Sequence, residues 1–103
     1  MPVAFIQEFK LRDDDRSTTN YDTLRDALDL DTNYPDGLIV HTAGWDDDGG
    51  VFRILGVWES REQADRFMVE RLQPLLEQGP ANPENAGPPD HQALYDLHDV
   101  VRR

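Results

Sequence analysis

The 103-residue chain has no cysteine and only one lysine, Lys10. Without cysteine there is no disulfide, no thiolate nucleophile and no cysteine-based zinc or iron–sulfur site. Basic residues are scarce: ten, nine of them arginine, stand against twenty-one Asp and Glu, for a formal net charge of −11. Such a chain repels a phosphate backbone rather than displacing its counterions, which excludes nucleic acid as a partner and disfavours anionic lipid. Long apolar runs are missing too, and none approaches the length that spans a bilayer. The opening residues lack the basic head and apolar stretch of a secretory signal, so a cytoplasmic protein is expected. The length suits one domain, residues 1–103, around one core.

What remains is a clear alternation of elements. Val3 to Lys10 is rich in apolar and aromatic residues and reads as a strand that ends at the charged run 12–16. Thr19 is placed to cap a helix, with Asp22 in its first turn and Tyr21, Leu24 and Leu28 on one face. Asn33, Pro35, Asp36 and Gly37 close that helix in a turn. Leu38–Trp45 and Val51–Glu59 form two β-rich runs joined by Asp46-Asp47-Asp48-Gly49-Gly50, a strong hairpin signal. Ser60 and Gln63 then read as a capping box. The second helix carries Ala64, Phe67, Met68, Leu72, Leu75 and Leu76 as an apolar stripe, and Pro74 is expected to kink or break it. Residues 79–89, with four prolines and two glycines, read as an irregular loop, and Ala93–Val101 as the last strand.

Strand, helix, strand, strand, helix, strand is the α+β, ferredoxin-like βαββαβ arrangement: a four-stranded antiparallel sheet with both helices on one face. Yet Leu38-Ile39-Val40 and Ile54-Leu55-Gly56-Val57-Trp58 are apolar toward both faces, whereas a sheet with one wet face should alternate. A second copy related by two-fold symmetry is the simplest cover, so a homodimer is expected.

The hairpin also places side chains. Pairing across a two-residue turn, or a four-residue loop, puts Ile39, His41, Ala43 and Trp45 on one face with Phe52, Ile54, Gly56 and Trp58, and the two-residue turn sets His41 opposite Gly56. The missing side chain there would leave room for a ligand or a neighbouring helix. His41 can exchange a proton near neutral pH and so could contact a ligand; the plainer reading is a hydrogen-bonded core histidine packed between two tryptophans. Gln7, a lone amide among Phe5, Ile6 and Phe9, either faces a pocket or lies at a strand edge. Arg53 falls on the opposite face and is expected to pair with a carboxylate. Asp90, His91, Asp96, His98 and Asp99 lack the convergence a metal needs, and the aspartate runs 13–15 and 46–48 lack a calcium loop's remaining ligands, so no metal site is expected. No phosphate loop, dinucleotide fingerprint or serine-nucleophile elbow is present.

Pro35-Asp36-Gly37-Leu38-Ile39-Val40-His41-Thr42-Ala43-Gly44, followed by Val57-Trp58-Glu59-Ser60-Arg61-Glu62-Gln63-Ala64 and then Phe67 and Leu72-Gln73-Pro74, resembles the antibiotic biosynthesis monooxygenase-like domains of the dimeric α/β-barrel superfamily. The resemblance implies a ferredoxin-like protomer and a homodimer whose two sheets form a barrel. Some members of that family are cofactor-independent oxygenases of polycyclic aromatics, and others degrade haem. The haem-degrading members use an asparagine on the first strand, and a tryptophan and an iron-ligating histidine on the second helix. Those places fall here on Gln7, Phe67 and Leu76, and leucine cannot ligate iron. The expectation is therefore a small homodimer with an apolar pocket for an aromatic or polyketide-like molecule. Its chemistry would be cofactor-free monooxygenation, with His41 or Gln7 orienting the substrate and Trp45, Phe52, Ile54, Gly56, Trp58 and Phe67 lining the pocket. A non-catalytic binding or structural protein is the alternative, and an isomerase or decarboxylase a third.

Overall fold

A computed structural model of the chain describes residues 1–11, 17–79 and 87–102. Four strands, β1 (Val3–Lys10), β2 (Leu38–Asp46), β3 (Val51–Trp58) and β4 (His91–Asp96), form one antiparallel sheet in the order β2-β3-β1-β4. This is the expected ferredoxin-like topology. The first strand, apolar toward both sides, takes an interior place with hydrogen-bonded neighbours on each flank. Its odd residues Val3, Phe5, Gln7 and Phe9 point toward the helices, and its even residues Ala4, Ile6, Glu8 and Lys10 toward the uncovered side.

The hairpin between β2 and β3 closes with a four-residue loop, since Asp46 is the last paired residue and stands opposite Val51. Asp46 Oδ1 accepts the Gly49 N–H at 3.0 Å, and Gly50 takes a positive φ of 64°. The register is the one expected: His41 faces Gly56, Ala43 faces Ile54 and Trp45 faces Phe52. At the far end a bulge departs from it. Leu38 pairs with Trp58 and Val40 with Val57, which leaves Ile39 as the extra residue, so buried Leu38 takes the place beside Trp58 expected for Ile39. Just upstream Gly37 adopts φ 88°, its carbonyl accepts the Glu59 N–H at 2.7 Å, and a Cβ there would stand 2.5 Å from the Gln63 side chain.

Helix α1 (Thr19–Leu28) starts one position earlier than a Thr19 cap would give, with Thr18 as the boundary residue. The Thr18 hydroxyl donates to Asp22 Oδ2 at 2.7 Å instead of capping a backbone N–H. Asp29 in the left-handed conformation ends the helix, and the Arg71 guanidinium donates to the Leu28 carbonyl, a favourable cation at a helix C-terminus. The second helix begins at α2 (Arg61–Phe67), where Ser60 Oγ accepts the Gln63 N–H at 3.2 Å and donates to Gln63 Oε1 at 3.0 Å. It does not break at Pro74. The strain is taken up earlier, in a π-helical turn at Met68–Leu72, after which α3 (Gln73–Leu76) carries the proline in its first turn. The Gln73 N–H reaches back five residues to the Met68 carbonyl, so the chain accommodates a residue without a donor by widening the preceding turn. Of the expected stripe, Ala64 and Leu72 are buried, but Leu76 is 56 % exposed.

The last strand is shorter and earlier than Ala93–Val101. It ends at Asp96 because its partner begins at Val3, and after the Leu97 N–H bonds to the Pro2 carbonyl no further ladder is available. The core gathers Val3, Leu38, Trp58 and Ala64, with Phe67 and Leu94 packed against it. Residues 13–15 and the middle of the proline-rich 79–89 stretch lie outside the described residues.

Candidate ligand pocket

The space between the helices and the sheet is not fully filled. A cavity of about 120 Å³ is lined by His41, Gln7, Ile54, Gly56, Trp58 and Phe67, together with Phe5, Tyr21 and aliphatic residues of both helices. It is overwhelmingly apolar. Gln7, Tyr21, Leu24, Ile54, Met68 and Leu72 also border a groove of about 680 Å³, whose walls include Trp45, Phe52 and Leu75. The structure therefore divides the eight sequence-nominated residues: six line the cavity, while Trp45 and Phe52 line the groove. The cavity alone falls below the roughly 300–1,000 Å³ of small-molecule sites, and the groove falls within it.

Tyr21 was missed as a polar residue. It comes from α1, where spacing with Leu24 and Leu28 marked it only as apolar-face packing. A tyrosine on the inner face of a helix nevertheless needs a partner for its hydroxyl, and the histidine on the facing strand is a group the register offers. Tyr21 Oη lies 2.8 Å from His41 Nε2, with the two rings parallel to within 5° and their centroids 6.2 Å apart. Tyr21 also meets Phe52 edge-on at 5.5 Å, and Phe52 meets Trp45 in the same manner. Burial, with Arg25 nearby adding to it, lowers the His41 pKa, so at neutral pH the ring is uncharged. Burial raises the Tyr21 pKa, and Arg25 only partly offsets it. The pair is thus two neutral groups satisfying each other in an apolar setting.

Gly56 does not leave open space. A Cβ there would meet the Trp58 indole Nε1 at 2.9 Å, so the indole of the same strand leans over the glycine and occupies the room expected for a ligand or a neighbouring helix. Trp58 is 5 % exposed and packs on Phe67 at 5.1 Å, anchoring sheet to helix. Gln7 sits in the interior strand β1, which rules out the strand-edge reading, and its Nε2 donates to Gln92 Oε1 at 3.3 Å.

On the other face Arg53 pairs with carboxylates, as expected. Its Nε donates to Glu8 Oε2 at 2.8 Å, and Nη2 reaches both Glu8 and, at 3.1 Å, Asp46. The Gly49 N–H first, and Arg53 next, hold the Asp46 carboxyl below the usual carboxylate range. Among the described residues no group of three or more His, Cys, Asp or Glu side chains could hold a metal. Asp90 accepts the Lys10 N–H and Asp96 pairs with Arg61, while His98 lies beyond the strand. Among the described residues no helix is long and apolar enough to cross a membrane.

No protein-family model matches the chain, and no curated protein matches it. Solved structures do. Rv0793 from Mycobacterium tuberculosis superposes with a TM-score of 0.70 at 24 % identity, over 99 % of this chain and 100 % of that one. SnoaB, a cofactor-independent oxygenase from Streptomyces nogalater, gives 0.60 at 11 % identity over 99 % and 98 %. PA3566 from Pseudomonas aeruginosa gives 0.59 at 13 % identity over 97 % and 95 %. The chain shares the fold of these proteins, the α+β, βαββαβ arrangement with its four-stranded antiparallel sheet.

Proposed function

We propose that the protein is a homodimer whose pocket binds an aromatic small molecule bearing an ionisable hydroxyl, and that its chemistry is cofactor-independent monooxygenation. The observation that carries this reading is the hydrogen-bonded Tyr21–His41 pair at the edge of an apolar cavity that shares a wall with a ligand-sized groove. The apolar walls keep water out, the neutral imidazole supplies a proton acceptor, and Gln7 supplies an amide on a neighbouring strand. An electron-rich substrate anion can then react with oxygen directly. The oxygenase SnoaB shares the fold and supports the reaction class. Oxygen uptake with a series of hydroquinones and enolisable 1,3-dicarbonyl aromatics is the test: turnover with at least one of them should exceed that of His41→Ala, and equal rates throughout would remove the proposal.

The homodimer rests on the uncovered face. Ile6, Leu55 and Val57 lie there beside Val40 and Tyr95, the last two each 43 % exposed. Sedimentation equilibrium at micromolar concentration should give twice the chain mass. A second reading, a non-catalytic binding protein, is favoured by one observation: the indole of Trp58 fills the room above Gly56 and leaves only a small inner cavity. Ligand binding without oxygen uptake would select it, and anaerobic turnover would select an isomerase or decarboxylase.

A further inference from the structure

The hydrogen bond from Tyr21 occupies the His41 nitrogen that looks toward α1, so a ligand entering from the groove does not find Nε2 free. Tyr21 borders both the groove and the inner cavity, whereas His41 borders the inner cavity alone. No carboxylate hydrogen-bonds the imidazole among the described residues. The charged groups around the pair are Arg25 and Asp65, which line the inner cavity, and Asp22, adjacent to Tyr21 on α1. We propose that Tyr21 is the residue that meets the ligand's hydroxyl and relays its proton to His41. The pocket then selects a hydroxyl that is already acidic, such as a hydroxyquinone or the enol of a 1,3-dicarbonyl, over a simple phenol. This deepens the reading above and rests on its ligand pocket.

The step conserves atoms and charge. With the imidazole protonated on Nδ1, the Tyr21 O–H bond breaks and its proton bonds to His41 Nε2, while the ligand O–H bond breaks and that proton restores Tyr21. The products are a ligand oxyanion, a neutral tyrosine donating to it, and an imidazolium. Each pKa unit by which the ligand exceeds the imidazole makes the step tenfold less favourable. A simple phenol, near ~10, stands roughly 3.5 units above an ordinary imidazole, a handicap of about 3,000-fold. Arg25 beside the pair and the apolar surroundings add to it by opposing the imidazolium. A vinylogous acid carries no such handicap, and its oxyanion compensates the charge formed on His41.

The test uses three two-ring probes, 1,4-naphthoquinone, 2-hydroxy-1,4-naphthoquinone and 2-naphthol, titrated against tryptophan fluorescence from pH 6 to 9. The hydroxyquinone should bind at least tenfold more tightly than the unsubstituted quinone at pH 6. That advantage should shrink by up to tenfold per pH unit, because the dissolved anion must take up a proton to form the imidazolium. 2-Naphthol should show no advantage. Tyr21→Phe should bring the two quinones to the same affinity. His41→Gln keeps an acceptor for the Tyr21 hydroxyl but not a base, and should flatten the pH dependence, so this slope serves if Tyr21→Phe fails to fold. Equal affinity of the two quinones in the unaltered protein, or an advantage that survives Tyr21→Phe, would overturn the relay. Failure of all three probes to bind would instead overturn the pocket itself, and the relay with it.

Discussion

The two faces of the sheet are built from alternate residues of the same strands, and they hold their polar groups in opposite ways. Toward the helices, Gln7, His41 and Tyr21 are neutral and paired by hydrogen bonds at 2.8–3.3 Å. On the uncovered face of the same sheet Glu8, Arg53 and Asp46 are ions, with His91 Nε2 3.9 Å from Glu8. The cost of removing a charge from water explains the difference. The helix-covered face is shielded by the chain's own helices, so a polar group is favoured there when it is uncharged or paired. The uncovered face keeps its ions at one end and its bare apolar residues, Val40, Leu55 and Val57, at the other, an arrangement suited to a cover that seals the apolar end and leaves the ionic end near solvent.

Changes that strike the covered face should be the most damaging. Trp58→Ala removes the largest contact between sheet and helix and should lower stability by about 3–5 kcal/mol, read from urea denaturation. A loss below about 1 kcal/mol would mean that the helices are held by something other than this core. Leu55→Asp strikes the uncovered face. If a second copy covers it, the dimer should dissociate at least ~100-fold more readily, about 2.7 kcal/mol, in sedimentation velocity runs, with the monomer's own unfolding little changed. An unchanged dissociation constant would place the interface elsewhere. Glu8→Gln probes the ionic end. Arg53 is 39 % exposed and keeps Asp46 as a partner, so the loss should be about 1 kcal/mol or less in a solvated setting. A loss of about 3 kcal/mol would show that the ions are sealed in an interface.

The same two faces show what can be read from residues in a row. Strand parity is rigid, so the pairing of His41 with Gly56 and the position of Arg53 beyond the sheet followed from the hairpin alone. Parity says where a Cβ is missing but not which neighbour leans into the gap, and the Trp58 indole over Gly56 was therefore hidden. The bulge at Ile39 breaks the parity that the hairpin sets, and no local pattern marks it. The end of β4 is set by where β1 begins, so composition overran it. Tyr21 was legible as a helix-face residue, but its hydroxyl found meaning only when α1 was laid over β2.

The smallest expected effect is a slope in stability with pH, and it separates the two faces without breaking either. The folded state holds the His41 pKa below its ordinary value of 6.5, chiefly by burial. Above pH ~6.5 the imidazole is neutral whether the chain is folded or not, and the covered face contributes its full stability. As pH falls, the unfolded chain takes up the proton first, so stability declines until the folded-state pKa is passed and then levels off. Asp46, whose pKa is also lowered, follows the same sign in a separate window: its contribution is present above the ordinary carboxylate range and is lost at still lower pH. Chemical denaturation from pH 7.5 to 5 should therefore show a decline that His41→Gln abolishes and Asp46→Asn leaves intact. If the decline between pH 7 and 5 survives His41→Gln, other groups carry it, and the neutral pair is not what distinguishes the covered face.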